Sequence, residues 1–209
     1  MTVIEWQDAR VSITEAGPRS ARSERTRAAI ADALLSLLEE GELQPTATRI
    51  AERAGISLRL IYHHFGDLEA LFRETSEREL ARVLARVAPV PADLPLPERI
   101  HAFVDQRCRL LEWLTPVRRA AMLHEPFSST LRDARTAMNH LAEHEVASLF
   151  ATELGAMSPE GRAAAIDALA LTTGWNAWDA LRSAGRSEDD ARAAINLIVT
   201  LVLTAPPGE

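Results

Sequence analysis

Apolar positions recur along most of this 209-residue chain at the three-to-four spacing of helices that each bury one face. Ile30, Leu34, Leu37 and Leu38, with Ala33 between, predict a helix over 23–40 that Gly41 ends and Pro45 keeps from resuming. Thr46 can cap a second helix ending near Ala54, Ser57 a short third ending near His64, and Asp67 a long fourth reaching about Val87. Pro89, Pro91, Pro95 and Pro97 make the next stretch a loop, because proline cannot continue a helix. Five more helices are predicted over 98–114, 116–124, 129–154, 159–184 and 188–205, with breaks at Pro116, Pro126, Gly155 with Pro159, and Gly185. Strand-like alternation is confined to Val3, Ile4 and Trp6 and to Val11 and Ile13, in an extension of residues 1–20. About nine helices with short connections predict an all-α fold.

Composition narrows the class. Apolar residues at 47% and charged ones at 25% fit a folded globular chain rather than a disordered one. Cys108 is the only cysteine, which excludes a disulfide scaffold. No apolar run approaches the roughly 18 residues of a membrane span and no signal-peptide pattern opens the chain, so the cytoplasm is the expected location. All 23 basic residues are arginine, and the net charge is -7. Taken whole, that acidity argues against a polyanion partner. It is unevenly spread, however: residues 19–73 balance eight arginines against eight acids, and most of the acid excess lies beyond.

The densest signal lies in residues 46–65. Two short helices joined by a tight turn need a small residue where they approach, here Ala51, and a left-handed position at the turn, here Gly55. They also need an apolar residue to fill the space between them, here Ile61. Ile50, Ala54 and Ile56 complete the seam, and Ser57 stands where it can cap the second helix. This is the pattern of a helix-turn-helix, whose second helix enters the major groove. On that helix Arg59 suits a guanine edge and Leu60 a thymine methyl. An arginine-rich arm over residues 19–27, including Arg22 and Arg25, stands ready for phosphate or the minor groove.

The run Ala51-Glu52-Arg53-Ala54-Gly55-Ile56-Ser57, followed by Tyr62-His63-His64-Phe65-Gly66-Asp67-Leu68-Glu69-Ala70-Leu71-Phe72, resembles the DNA-binding domain of the tetracycline-repressor family. The resemblance implies phosphate contact by Thr46, and DNA contact by Ser57, Tyr62 and His63, with His64 shared between core and phosphate. It implies three parts: an extension over 1–20, a DNA-binding domain over 21–66 and a ligand-binding and dimerisation domain over 67–209. The chain departs from the family at Leu58, where a basic residue is frequent, and at Leu68, where a lysine is usual.

In the carboxy-terminal half the resemblance implies a homodimer and a small-molecule site. The last helix is apolar on nearly every side, so it must be covered on nearly every side. Ile195, Ile198, Val199 and Val202, with Trp178 and Leu181 before them, are the candidate dimer residues. Phe103, Arg107, Trp113, Met122, Phe127, Met138, Trp175 and Trp178 are the candidate lining of a largely apolar effector pocket. His140 and His144 share a helix face with Glu143 nearby, but no third ligand stands at a diagnostic spacing, and no metal or cofactor is expected. No nucleophile elbow and no phosphate-binding loop occurs, so an enzyme is not expected. The expected function is a DNA-binding transcriptional regulator, a repressor released from a palindromic operator by a small-molecule effector. The alternative is a helical ligand-binding dimer in which DNA binding is weak or lost.

Overall fold

The computed structural model describes residues 18–205, with side chains from Ala21 onward. The strand-like alternation at residues 3–13, and the rest of the extension up to residue 17, lie outside the described residues. Ten α-helices and one 3₁₀ turn account for the described chain, with no strand among the described residues. They are α1 (Pro18–Glu39), α2 (Ala47–Ala54), α3 (Leu58–His64), α4 (Leu68–Arg86), α5 (Leu96–His124), the 3₁₀ turn Glu125–Phe127, α6 (Ser129–Leu149), α7 (Ala151–Gly155), α8 (Pro159–Thr172), α9 (Trp175–Ser183) and α10 (Glu188–Thr204). No helix among the described residues is long and apolar enough to cross a membrane.

Several predicted boundaries hold for the expected reasons. The Thr46 hydroxyl accepts from the Arg49 N–H at 3.3 Å, and the Asp67 carboxylate accepts from the Ala70 N–H at 2.8 Å. Gly55 ends α2 at φ 67°, in the left-handed region that glycine enters without penalty.

Four boundaries differ. The arginine-rich segment is not an arm ahead of the first helix but part of α1, with Pro18 as its first residue, a position where a missing N–H costs nothing. Pro116 does not break α5, which runs on for 29 residues. An interior proline costs about 3 kcal/mol. Packing on both sides of it offsets that: Ile100, Phe103, Val104, Cys108 and Leu111 sit in one core, and Val117 and Ala120 in another. The span 129–154 divides at Phe150, whose fully buried ring meets Phe103 edge-on at 5.5 Å. The span 159–184 divides at Gly174. A Cβ there would lie 2.9 Å from the Ala170 carbonyl oxygen, a backbone atom that cannot easily give way. Gly174→Ala should therefore lower stability by about 1–3 kcal/mol in chemical denaturation.

The two cores share α5. The first is built from Ile30, Leu34, Leu37 and Leu38 of α1, Ile50 and Ala51 of α2, Ile61 of α3 and Leu71 of α4, closed by Phe65 and by Ala120 of α5. The second joins α5 to Val146, Phe150, Leu154, Leu169, Trp178, Ile195, Val199 and Leu203. The indole N–H groups of α9 fasten it to α5: Trp175 donates to the Thr115 hydroxyl at 3.1 Å, and Trp178 to Glu112 at 2.8 Å.

Candidate nucleic-acid interface

The interface is built from one anchored side chain. Ile61 is 4% exposed and holds α3 against α1 and α2. A helix advances 100° per residue, so Arg59 and His63 point directly away from the core. Leu58 and Tyr62 flank them on one side, Leu60 and His64 on the other. The exposures agree. Leu58, Arg59, Tyr62 and His63 are exposed, whereas Leu60 and His64 are half-buried. Leu60 therefore lies to the side of the outward face instead of on it.

His64 belongs more to the fold than to the surface. Its Nδ1 lies 3.4 Å from the Ser23 hydroxyl, and its carbonyl accepts from Arg27 at 2.9 Å. Partial burial, aided by the nearby His63 and Arg27, pushes its imidazole below the ordinary value. Arg27 also donates to Glu74 at 3.1 Å and lies 4.5 Å over the Phe65 ring. It ties α1, the end of α3 and α4 together, a role that the sequence assigned to no residue.

Ser57 stands at the start of α3 but makes no capping hydrogen bond, contrary to expectation. Its hydroxyl and that of Thr46 are both exposed. The arginines sort into two groups. Arg53 is paired with Glu40 at 2.6 Å, and this hydrogen bond, with Arg53's charge, holds the Glu40 carboxyl below its ordinary value. Arg49 lies 3.2 Å from Glu52 and 3.6 Å from Glu42, and Arg78 pairs with Asp32. Arg22, Arg25, Arg59 and Arg73 are exposed, and no acidic side chain pairs with them among the described residues. These four arginines are free to meet phosphate, and Arg59 alone of them stands on α3, where it can meet a base.

At its other end this domain is joined to the rest of the chain. Glu69, in the first turn of α4, accepts from the backbone N–H of Thr130 at 3.3 Å, at the start of α6. Hydrogen bonds from Thr130 and Ser128 hold its carboxyl below the ordinary value. The rings of Phe72 and His124 lie 5.3 Å apart beside it. No sequence pattern pointed to this junction, because it pairs residues about sixty positions apart.

The candidate effector residues do not converge. Phe103 and Trp178 are fully buried within the second core. Arg107 is buried against the Phe103 ring and pairs with Glu145. Trp113 is half-buried beneath Arg86 at 4.0 Å and Arg82 at 5.2 Å, and Trp175 half-buried against Thr115. Met138 is half-buried, whereas Met122 and Phe127 are exposed, Phe127 at 88%. Grooves of about 420 and 440 Å³ lie elsewhere, one between α1 and α4 and one beside Arg119, Arg182 and Arg186, and none of the eight residues lines them. Burial pushes the Cys108 thiol up to about 11, which leaves it protonated and unreactive near neutrality. His140 is exposed and paired with Glu143 at 3.2 Å, and no group of three or more potential metal ligands occurs among the described residues.

The candidate dimer residues also divide. Trp178, Ile195 and Val199 are buried inside the protomer, and Leu181 and Val202 pack against the same core. Ile198 alone of the set is exposed. On the same helix Leu197 is 60% and Leu201 59% exposed, and on α8 Leu171 is 71% exposed.

Residues 30–75 match the family model described as bacterial regulatory proteins, tetR family. Comparison with curated proteins gives no match. Among solved structures, a transcriptional regulator from Rhodococcus sp. Rha1 superposes with a TM-score of 0.64 at 21% identity, over 87% of this chain and 95% of that one. A tetR-family transcriptional regulator from Streptomyces coelicolor gives 0.68 at 17% identity, over 86% and 79%. A proposed transcriptional regulator from Pseudomonas aeruginosa PAO1 gives 0.62 at 20% identity, over 93% and 96%. At these identities the likeness to solved structures is one of fold. The family match covers most of the three-helix core and the start of α4, so residues 30–75 are similar to the amino-terminal domain of the tetR family of bacterial regulatory proteins.

Proposed function

We propose that the chain works as a homodimeric repressor that reads a palindromic operator and is released from it by a small, largely apolar effector. The observation that carries the DNA-binding part is the outward face of α3. Arg59, Tyr62 and His63 are exposed there while Ile61 fastens the helix to a closed core. A helix so presented fits the major groove, and two copies one helical turn apart, about 34–36 Å, fit a palindrome. The exposed apolar face of α10, formed by Leu197, Ile198 and Leu201, supplies the dimer contact. Release follows if an effector prefers a conformation with a different separation of the two α3 helices. The physical route is α4, which leaves the helix-turn-helix directly and is tied to α6 through Glu69.

The test is a salt titration of binding to duplexes selected from a random pool by the purified protein. Because Arg27, Arg49 and Arg53 are already paired with carboxylates, phosphate neutralisation among the described residues of this domain falls to Arg22, Arg25, Arg59 and Arg73 of each protomer. The slope of log affinity against log salt should be about -5 where Arg22, Arg25 and Arg59 make the contacts and about -7 where Arg73 joins them. A protein that selects no duplex at low salt is not a repressor of this kind. That outcome would support a ligand-binding dimer with lost DNA binding, a reading favoured only by Leu58 and Leu68, exposed leucines at the starts of α3 and α4.

A further inference from the structure

We infer that Leu58 reads a thymine in each half-site through the 5-methyl group of that base, within about two base pairs of a guanine read by Arg59. The inference rests on the operator-binding reading above and sharpens it from a groove to a base. Leu58 is the first residue of α3 and is 38% exposed. The first residues of a recognition helix are those that reach base edges. Of the two leucines near the groove, Leu58 is the one on the exposed flank, beside Tyr62. Leu60 lies on the flank where His64 is tied back to Ser23 and Arg27.

Leucine can neither donate nor accept a hydrogen bond. Laid over the amino groups of cytosine or adenine, or over the O6 and N7 of guanine, it would strip water from a polar edge and return nothing. The thymine methyl is the only apolar group on the major-groove edges, so it is the one partner that gains from the contact. Arg59 is the complement. It is exposed and has no acidic partner among the described residues, so its donors remain available for O6 and N7 of guanine. Adjacent α-carbons are about 3.8 Å apart, and base pairs are spaced about 3.4 Å along the duplex. The two readings therefore fall within about two base pairs of each other.

The experiment uses the full chain and the duplex it selects. Each thymine of that duplex is replaced in turn by deoxyuridine, which removes only the methyl group. The wild type should lose about three- to tenfold in affinity at one thymine per half-site, next to an essential guanine. Leu58→Ala should bind the thymine and uracil duplexes equally, at about the wild-type affinity for uracil. Leu58→Gln, which keeps the length and loses the apolar end, should do the same. Arg59→Ala should bind more weakly throughout and still sense the methyl. If both Leu58 variants keep the wild-type methyl dependence, or no thymine shows any, the inference is overturned while the operator-binding reading stands. If no duplex is selected at all, that reading fails first and the inference with it.

Discussion

Replacing Leu197 and Leu201 together by glutamate should leave the fold intact and convert a dimer into a monomer that no longer holds its operator. Both side chains are about three-fifths exposed, so the substitutions bury no charge inside the protomer. They lie four residues apart on α10, one turn along the same face, beside the exposed Ile198. Contiguous apolar exposure of this kind marks an interaction site. A two-fold interface presents the same patch from both protomers, so the change brings four like charges together where apolar surface was. Interface centres of this type lose about 2 kcal/mol or more per truncated anchor, so the dimer should weaken at least a hundredfold. Operator affinity should fall with it, because a monomer holds one half-site only. Sedimentation velocity reads the assembly and circular dichroism the fold. A double variant that still sediments as a dimer would remove α10 from the interface. Ile195→Glu would be the wrong test. That side chain is 1% exposed inside the protomer, and a buried charge there would unfold the chain before it informed on the dimer.

That contrast shows where sequence reading stops. Periodicity reveals that α10 is apolar all round, but not which stripe its own protomer covers. Ile195 and Val199 belong to the core and Leu197 and Leu201 do not, and only the packing partners decide it. The helix-turn-helix was legible because its constraints are local. Ala51, Gly55 and Ile61 act within a dozen residues, and each stands where the geometry needs it. Pro116 misled because its cost is local while its compensation is not: α5 is held by two cores at once. The effector residues were the least legible. Aromatic and sulfur-bearing side chains at helical spacing serve a solid core as well as a cavity, and here Phe103 and Trp178 serve the core. Glu69 and Arg27 left no local signal because each joins elements far apart in the chain.

Glu79 is a further residue that no pattern disclosed, and it carries the other large expected effect. It lies on α4, on the stripe of Leu71, Thr75 and Val83 that turns inward at four-residue steps. Its side chain is 14% exposed, and both carboxylate oxygens are buried without a hydrogen-bond partner. Arg82 approaches to 3.7 Å but is also engaged with Glu39, and Arg86 is spread over Trp113. Burial is the main cause that raises the Glu79 carboxyl to about 7, opposed by Arg82 and reinforced by Glu39. The sign follows from which state holds the proton. Below pH 4.5 the group is neutral in both folded and unfolded chains, and its contribution to stability is fully present. Between pH 4.5 and 7 the unfolded chain ionises while the folded one retains the proton, so stability is lost as pH rises through about 7, and above that the loss is constant. The full loss is of order 3 kcal/mol. Glu79→Gln should abolish this dependence. Urea denaturation of both proteins at pH 5, 6, 7 and 8 should give curves that diverge, the wild type losing about 3 kcal/mol relative to the variant between pH 5 and pH 8. The difference between the two proteins is the reading, because every other titrating group is common to both. Parallel curves would mean that the Glu79 carboxylate finds partners or water when it ionises, and that α4 carries no buried charge.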